Sequence, residues 1–244
     1  MVSLAWAHRE RVRAENAAKA AKAAIETAGK AQIRQMAEDK ASFELLLTQL
    51  DIDCKRLSEL PQGAARDPLK RELVNSYLPL VDEYISSGKE FQNLVLTRVM
   101  VWLFDLGEID RALAMADVAI AQNQPMPQRF GRDVKTFVAD AFLDWRKLQK
   151  ALKNPVEPYF SKVFEQVMTW QIHDEIKVKY LKAAAEEYQA AGNIERALEC
   201  CVQAQSIDPT ATVKTLRKEL EKAVAEKAEA LKHEQAKPGS KTNE

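Results

Sequence analysis

The sequence predicts an all-α protein: a long N-terminal helix followed by packed helical hairpins. Two observations carry this. Glycine and proline are scarce, 7 and 9 in 244 residues, while the strong helix formers Ala, Leu, Glu, Lys and Gln abound. Apolar residues recur at helical spacing, and no stretch shows the convincing period-two alternation of a half-buried strand.

Residues 4 to about 40 are Ala-rich, charged and free of proline. Their apolar stripe is thin, mostly Ala with Val12, Ile25, Ile33 and Met36. This reads as a long exposed helix that needs a partner to be stable. At 1.5 Å per residue, about 35 residues reach roughly 50 Å. The expectation is self-association through residues 10–37, or docking on a partner. From 41 to 60 the pattern turns amphipathic, with Phe43, Leu46, Leu47, Leu50, Leu57 and Leu60 at helical spacing. PQGAARDP (61–68) reads as a turn. The next helix holds Pro79, which should kink or break it by removing a backbone donor.

Residues 90–106 and 108–123 predict a helix pair turning at Gly107. A loop at 123–128, a helix at 132–152 and another from 159 to about 170 follow. A second pair, 174–191 and 194–206, turns at Gly192, with Asp174 as a plausible N-cap. Asp208-Pro209 ends it, and a charged helix runs from about 210 to 234. Four parts result: an exposed N-terminal helix (1–40), an α-helical core (41–210), a charged C-terminal helix (211–235) and a disordered tail (236–244).

The two pairs resemble each other. Gly, an acid or amide, Ile, an acid, then Arg-Ala-Leu occurs at 107–113 and again at 192–198. With Leu181, Ala185 and Tyr188 before Gly192, and Ala197, Ala204 and Pro209 after it, the second copy resembles a tetratricopeptide unit. The glycines lie 85 positions apart, which is no multiple of 34, so two hairpins within one domain are expected rather than a regular solenoid.

Composition excludes several classes. Lys plus Arg and Asp plus Glu number 36 each. No run approaches the roughly 20 apolar residues of a membrane span, and MVSLAWAHRERVR has no secretory h-region. Three cysteines, two of them adjacent, make no disulfide framework, so a reduced, cytosolic setting is expected. His8, His173 and His233 are far apart, and with Cys54, Cys200 and Cys201 they give no zinc spacing. There is no Gly-x-Ser-x-Gly and no Walker-type loop. The nearest approach to a nuclease constellation is His173, Asp174, Glu175 and Lys177, with Asp140 and Asp144 upstream. A solvated helix face explains it as well.

Basic residues say more. Residues 1–35 carry Arg9, Arg11, Arg13, Lys19, Lys22, Lys30 and Arg34 against Glu10, Glu15 and Glu26, a net +4 in a neutral chain. Arg129, Arg132 and Lys135 cluster after the loop. Both sets suit sequence-independent phosphate contacts, and both also suit an exposed helix of mixed charge.

Residues 70–130 resemble the small terminase subunit family of Peduovirus-like tailed phages. The resemblance is carried by Arg71-Glu72-Leu73, Leu78-Pro79, Gly88-Lys89 and Val99-Met100-Val101-Trp102. Asp105-x-Gly107, Ile109, Ala112-Leu113-Ala114 and Met126-Pro127 continue it, and with 192–222 it covers roughly 40–222. It implies one half of a DNA-packaging motor. The small subunit recognises the cohesive-end site of double-stranded viral DNA and recruits or regulates the large ATPase subunit, in the bacterial host cytoplasm. Members are also described as the endonuclease subunit that directs cohesive-end cleavage, which would bring in Mg²⁺; otherwise no cofactor is expected. A homo-oligomer is expected too. Relatives with a strongly basic C-terminal tail differ from this chain, where residues 214–244 hold eight Lys and Arg against six Glu. The DNA contact is therefore expected at the N-terminal patch. A protein-interaction adaptor with no nucleic-acid role is the remaining reading.

Overall fold

The computed structural model describes Lys19, residues 40–128 and residues 130–235. The predicted N-terminal helix and the tail 236–244 lie outside the described residues, apart from Lys19, which is helical and exposed. Helices follow one another throughout, and no strand occurs among the described residues. The chain divides into two compact units, Met1–Leu73 and Val74–Glu244.

In the first unit, α1 (40–59) follows its apolar spacing, with Leu50 and Leu57 buried. Asp53 is buried on the same helix, accepting from Gln49 Nε2 at 3.2 Å and from Arg56 Nη1 at 3.0 Å. Beyond α1 the backbone makes a short 3-10 turn, Ala64–Arg66. Arg66 reaches back to donate to the Leu60 carbonyl at 3.0 and 2.9 Å and to the Ser58 carbonyl at 3.3 Å. It thereby satisfies acceptors that a helix end leaves without partners.

Helix α2 (Asp67–Ser86) begins in the first unit, and in the second unit it presents Val74, Tyr77, Leu78, Val81 and Tyr84 to the interior. The helix runs through Pro79 unbroken, contrary to the sequence expectation. Pro79 and Asn75, whose carbonyl loses its donor, both lie on the exposed face. Water can serve that carbonyl while the buried face keeps its packing. Next, α3 (Leu94–Leu106) is buried on nearly every side, so it forms the centre of the unit. It starts at 94 because Asn93 caps it, accepting from the amides of Val95 and Leu96.

At the end of α3, Gly107 adopts φ 73°. Its amide bonds the Phe104 carbonyl and the next amide bonds that of Leu103, at 3.1 and 3.0 Å. This paired cap closes the helix, and α4 (Ile109–Ala121) folds back on α3. A further helix, α5 (Val134–Ala151), packs on α3 and α4, and α6 (Tyr159–Thr169) packs on α5. Then α7 (Asp174–Ala190) and α8 (Ile194–Ile207) form the second hairpin, turning at Gly192 with φ 76° and the same pair of bonds. Both predicted hairpins are thus present; their tetratricopeptide-like character rests on the residue pattern alone. Asp174 is not the N-cap of α7. His173 holds that place, and Asp174 is the first helical residue, where its charge still favours the helix start.

The last helix, α9 (Lys214–Gln235), packs on α8. Before it, the Asp208 carboxylate takes the amide and hydroxyl of Thr210, at 2.8 and 2.7 Å, and holds a turn after α8. Cys200 and Cys201 are free, buried thiols of α8. Burial pushes the Cys200 thiol up to about 11, so it stays protonated and unreactive near neutral pH.

The turn at Gly192 gives a direct test. An added Cβ would meet nothing within 4 Å, so the cost of a substitution is the backbone conformation itself. Gly192→Val is expected to destabilise by about 1–2 kcal/mol. Gly192→Asn should cost clearly less, because Asn tolerates this conformation and Asn123 already adopts φ 49°. Urea midpoints of the two variants read this, and equal losses would contradict it.

Candidate nucleic-acid interface

Among the predicted basic residues, Arg132 and Lys135 sit where the loop after α4 enters α5. The start of this loop is fixed by a buried polar network. Gln124 Nε2 donates to the Tyr84 hydroxyl and to the Phe91 carbonyl, at 2.9 and 2.8 Å, and Gln124 Oε1 accepts from the Asn93 amide at 2.7 Å. Thr97 Oγ1 donates to the Pro125 carbonyl at 3.0 Å, tying the loop to α3. The Phe130 amide then closes a turn on the Pro127 carbonyl.

Phe130 is half-buried and meets the Phe137 ring edge-on at 5.3 Å; Phe137 meets Phe104 in the same way at 5.8 Å. Over the outer ring lies Arg98 of α3, its guanidinium carbon 5.9 Å from the Phe130 centroid. The Nε of Arg98 is buried and has no hydrogen-bond partner among the described residues. Such a donor costs about 1–3 kcal/mol when left unmade. Arg132 is exposed and ion-paired with Asp140. Lys135 is half-buried in the first turn of α5. Asp133 between them caps α5, accepting from the Thr136 amide at 2.8 Å.

The predicted acidic group is assembled differently from its sequence reading. Lys179, not Lys177, pairs with Glu175, at 2.8 Å and one helical turn away. That bond, helped by the fields of Asp140 and Asp144 on α5, holds the Lys179 ammonium above its ordinary pKa. It also holds the Glu175 carboxyl below its own. Asp174 is exposed and lies outside this pairing. Among the described residues no group of three His, Cys, Asp or Glu is disposed to hold a metal ion. Glu175 is paired with Lys179 and Asp140 with Arg132.

Of the other predicted contacts, Arg9, Arg11, Arg13, Lys22, Lys30, Arg34 and Arg129 lie outside the described residues, and Lys19 is exposed. Arg98 escaped the sequence reading. A lone arginine in the apolar run LVLTRVMVWLF was its only signal. None of the helices among the described residues is long and apolar enough to cross a membrane.

Comparison with known proteins places the chain. A model of the family described as phage small terminase subunit matches residues 47–175. The chain is similar to the "Probable terminase, endonuclease subunit" of Haemophilus phage HP1 (strain HP1c1), 36% identical over 173 residues. That alignment spans 70% of this chain and 59% of the relative's length. It is also similar to the "Terminase, endonuclease subunit" of Escherichia phage P2, 27% identical over 188 residues, 77% of this chain and 76% of that one. No solved structure matches. The family match takes in more than half of the sequence and all of the helices α2 to α6, so the chain belongs to the phage small terminase subunit family.

Proposed function

We propose that this chain is the recognition and adaptor subunit of a DNA-packaging motor. It binds the cohesive-end packaging site of double-stranded viral DNA and recruits or regulates the large ATPase subunit. Membership of the small terminase subunit family is the observation that carries this. The net +4 of residues 1–35 supports it, because phosphate contacts require local positive charge rather than a basic protein. The Ala-rich character of the same segment supports self-association. Titration of packaging-site DNA with the purified chain, with and without the large subunit, tests the proposal. Absence of a salt-sensitive complex in both conditions would leave only the protein-adaptor reading.

The names of the two relatives favour a second reading, that the chain itself directs cohesive-end cleavage. We place the cutting metal on the large subunit or the assembled complex. Replacing Asp174 and Glu175 by their amides is therefore expected to leave cleavage of packaging-site DNA within about twofold of wild type, a change of roughly 0.4 kcal/mol. The assay is Mg²⁺-dependent cutting by the assembled subunits and by this chain alone. If the chain alone cuts, and Asp174→Asn abolishes cutting while the fold is retained, the endonuclease reading replaces the first.

A further inference from the structure

Among the described residues two arginines lie over phenylalanine rings, and they differ in what else they touch. Arg146 of α5 stands 5.3 Å from the Phe160 ring, and its nitrogens reach Glu186, Glu187 and the Ala183 carbonyl. Arg98 stands over Phe130 in a comparable way, but it makes no ion pair among the described residues and its Nε is unpartnered. The first arrangement is complete within the fold. The second holds a cation in place and supplies no anion for it.

The position of Arg98 is well defined. It projects from a helix buried on nearly every side, and the ring beneath it is braced by Phe137 and Phe104. A guanidinium fixed by stacking has given up much of its freedom before any ligand arrives, so less is lost on binding. The Nε is buried, so the part of its planar fork that can match two oxygens of a phosphate is the terminal Nη1 and Nη2 pair. The Lys135 ammonium, at the start of the helix that carries Phe137, adds positive charge at the same loop-to-helix junction. Arg132 adds less, because Asp140 engages it.

We propose that Arg98, positioned by the Phe130 ring, binds a backbone phosphate of duplex DNA. This rests on the reading of the chain as a DNA-binding subunit. The contact is to phosphate, so it carries affinity without sequence preference.

The test titrates the full chain against two labelled duplexes of equal length, one with the cohesive-end site and one unrelated, over a series of salt concentrations. Arg98→Gln is expected to weaken binding to both by about tenfold, the size of one charged hydrogen-bonded contact. It should lower the log–log salt slope by about 0.9. Arg98→Lys keeps the charge and so the slope, but loses several-fold in affinity. Phe130→Leu also keeps the slope, with a smaller loss. Urea midpoints report whether each variant folds; if Arg98→Gln does not, Arg98→Lys decides, and full wild-type affinity in it overturns the proposal.

Wild-type binding with an unchanged Arg98→Gln affinity and slope overturns this assignment and leaves the DNA-binding reading intact. The same result with loss of large-subunit capture assigns Arg98 to an acidic protein surface and equally overturns it. No binding of either duplex by the wild type, at any salt and with the large subunit present, removes the DNA-binding reading itself.

Discussion

Changing both Glu186 and Glu187 to glutamine is expected to destabilise the protein by about 3 kcal/mol, because it strands a buried cation. Arg146 is only 8% exposed. Its Nε and Nη2 donate to Glu187 Oε1 at 3.0 and 2.6 Å, and Nη2 also reaches Glu186 Oε2 at 2.9 Å and the Ala183 carbonyl at 3.2 Å. Lys150 braces Glu187 from the other side at 3.1 Å. The amide carbonyls of the variant still accept hydrogen bonds, which keeps the loss near the lower end of the range for a broken buried pair. The two carboxylates should not share it equally. The Glu187 side chain is 17% exposed and that of Glu186 is 42%, so water screens the second more strongly. Glu187→Gln alone should therefore account for most of the loss. Arg146→Met should cost less than the double change, since it removes the buried charge instead of isolating it. Urea midpoints of the four proteins check the order; equal effects of the two single Glu variants would contradict it.

Helix order and hairpin positions were legible because they depend on local chemistry. Gly107 and Gly192 announced two left-handed caps, and both are present. Two more caps of the same kind, at Asn123 and Lys153, gave no such signal. The amides of Asn123 and Gln124 bond the carbonyls of Ile120 and Ala119, and those of Lys153 and Asn154 bond the carbonyls of Lys150 and Gln149. The bond pattern, not the residue type, defines them. Pro79 misled because its effect depends on which face it occupies, and only the fold shows that face to be exposed. In the candidate interface, Arg132 and Lys135 were readable as charges, but the pairing of Arg132 with Asp140 was not. Arg98 acquires meaning only from Phe130, which is distant in the sequence, and such a contact has no periodicity to betray it. The acidic group was half legible: Asp140, Asp144 and Glu175 stood out, while the one-turn spacing on α7 selects Lys179 over Lys177 as the partner.

The largest loss of DNA affinity is expected from neutralising Arg9, Arg11, Arg13, Lys19 and Lys22 together with glutamine. Lys30 and Arg34 would then face Glu10, Glu15 and Glu26, which turns the segment from net +4 to net −1. If each of the five side chains neutralises one phosphate, the log–log salt slope falls by up to about 4.5. Glutamine keeps the stems and the helix preference of the segment, so the change is chiefly one of charge. The affinity loss should be largest at low salt and shrink as salt rises, because released counterions drive the wild-type complex most strongly in dilute salt. Packaging-site and unrelated duplexes should lose affinity in the same proportion, since phosphates carry no sequence information. A variant that keeps the wild-type slope would place the phosphate contacts elsewhere. A variant that loses affinity only for the packaging site would mean that these side chains read bases. Salt-series titrations on the two duplexes separate these outcomes, and the size of the slope change counts the contacts that the segment makes.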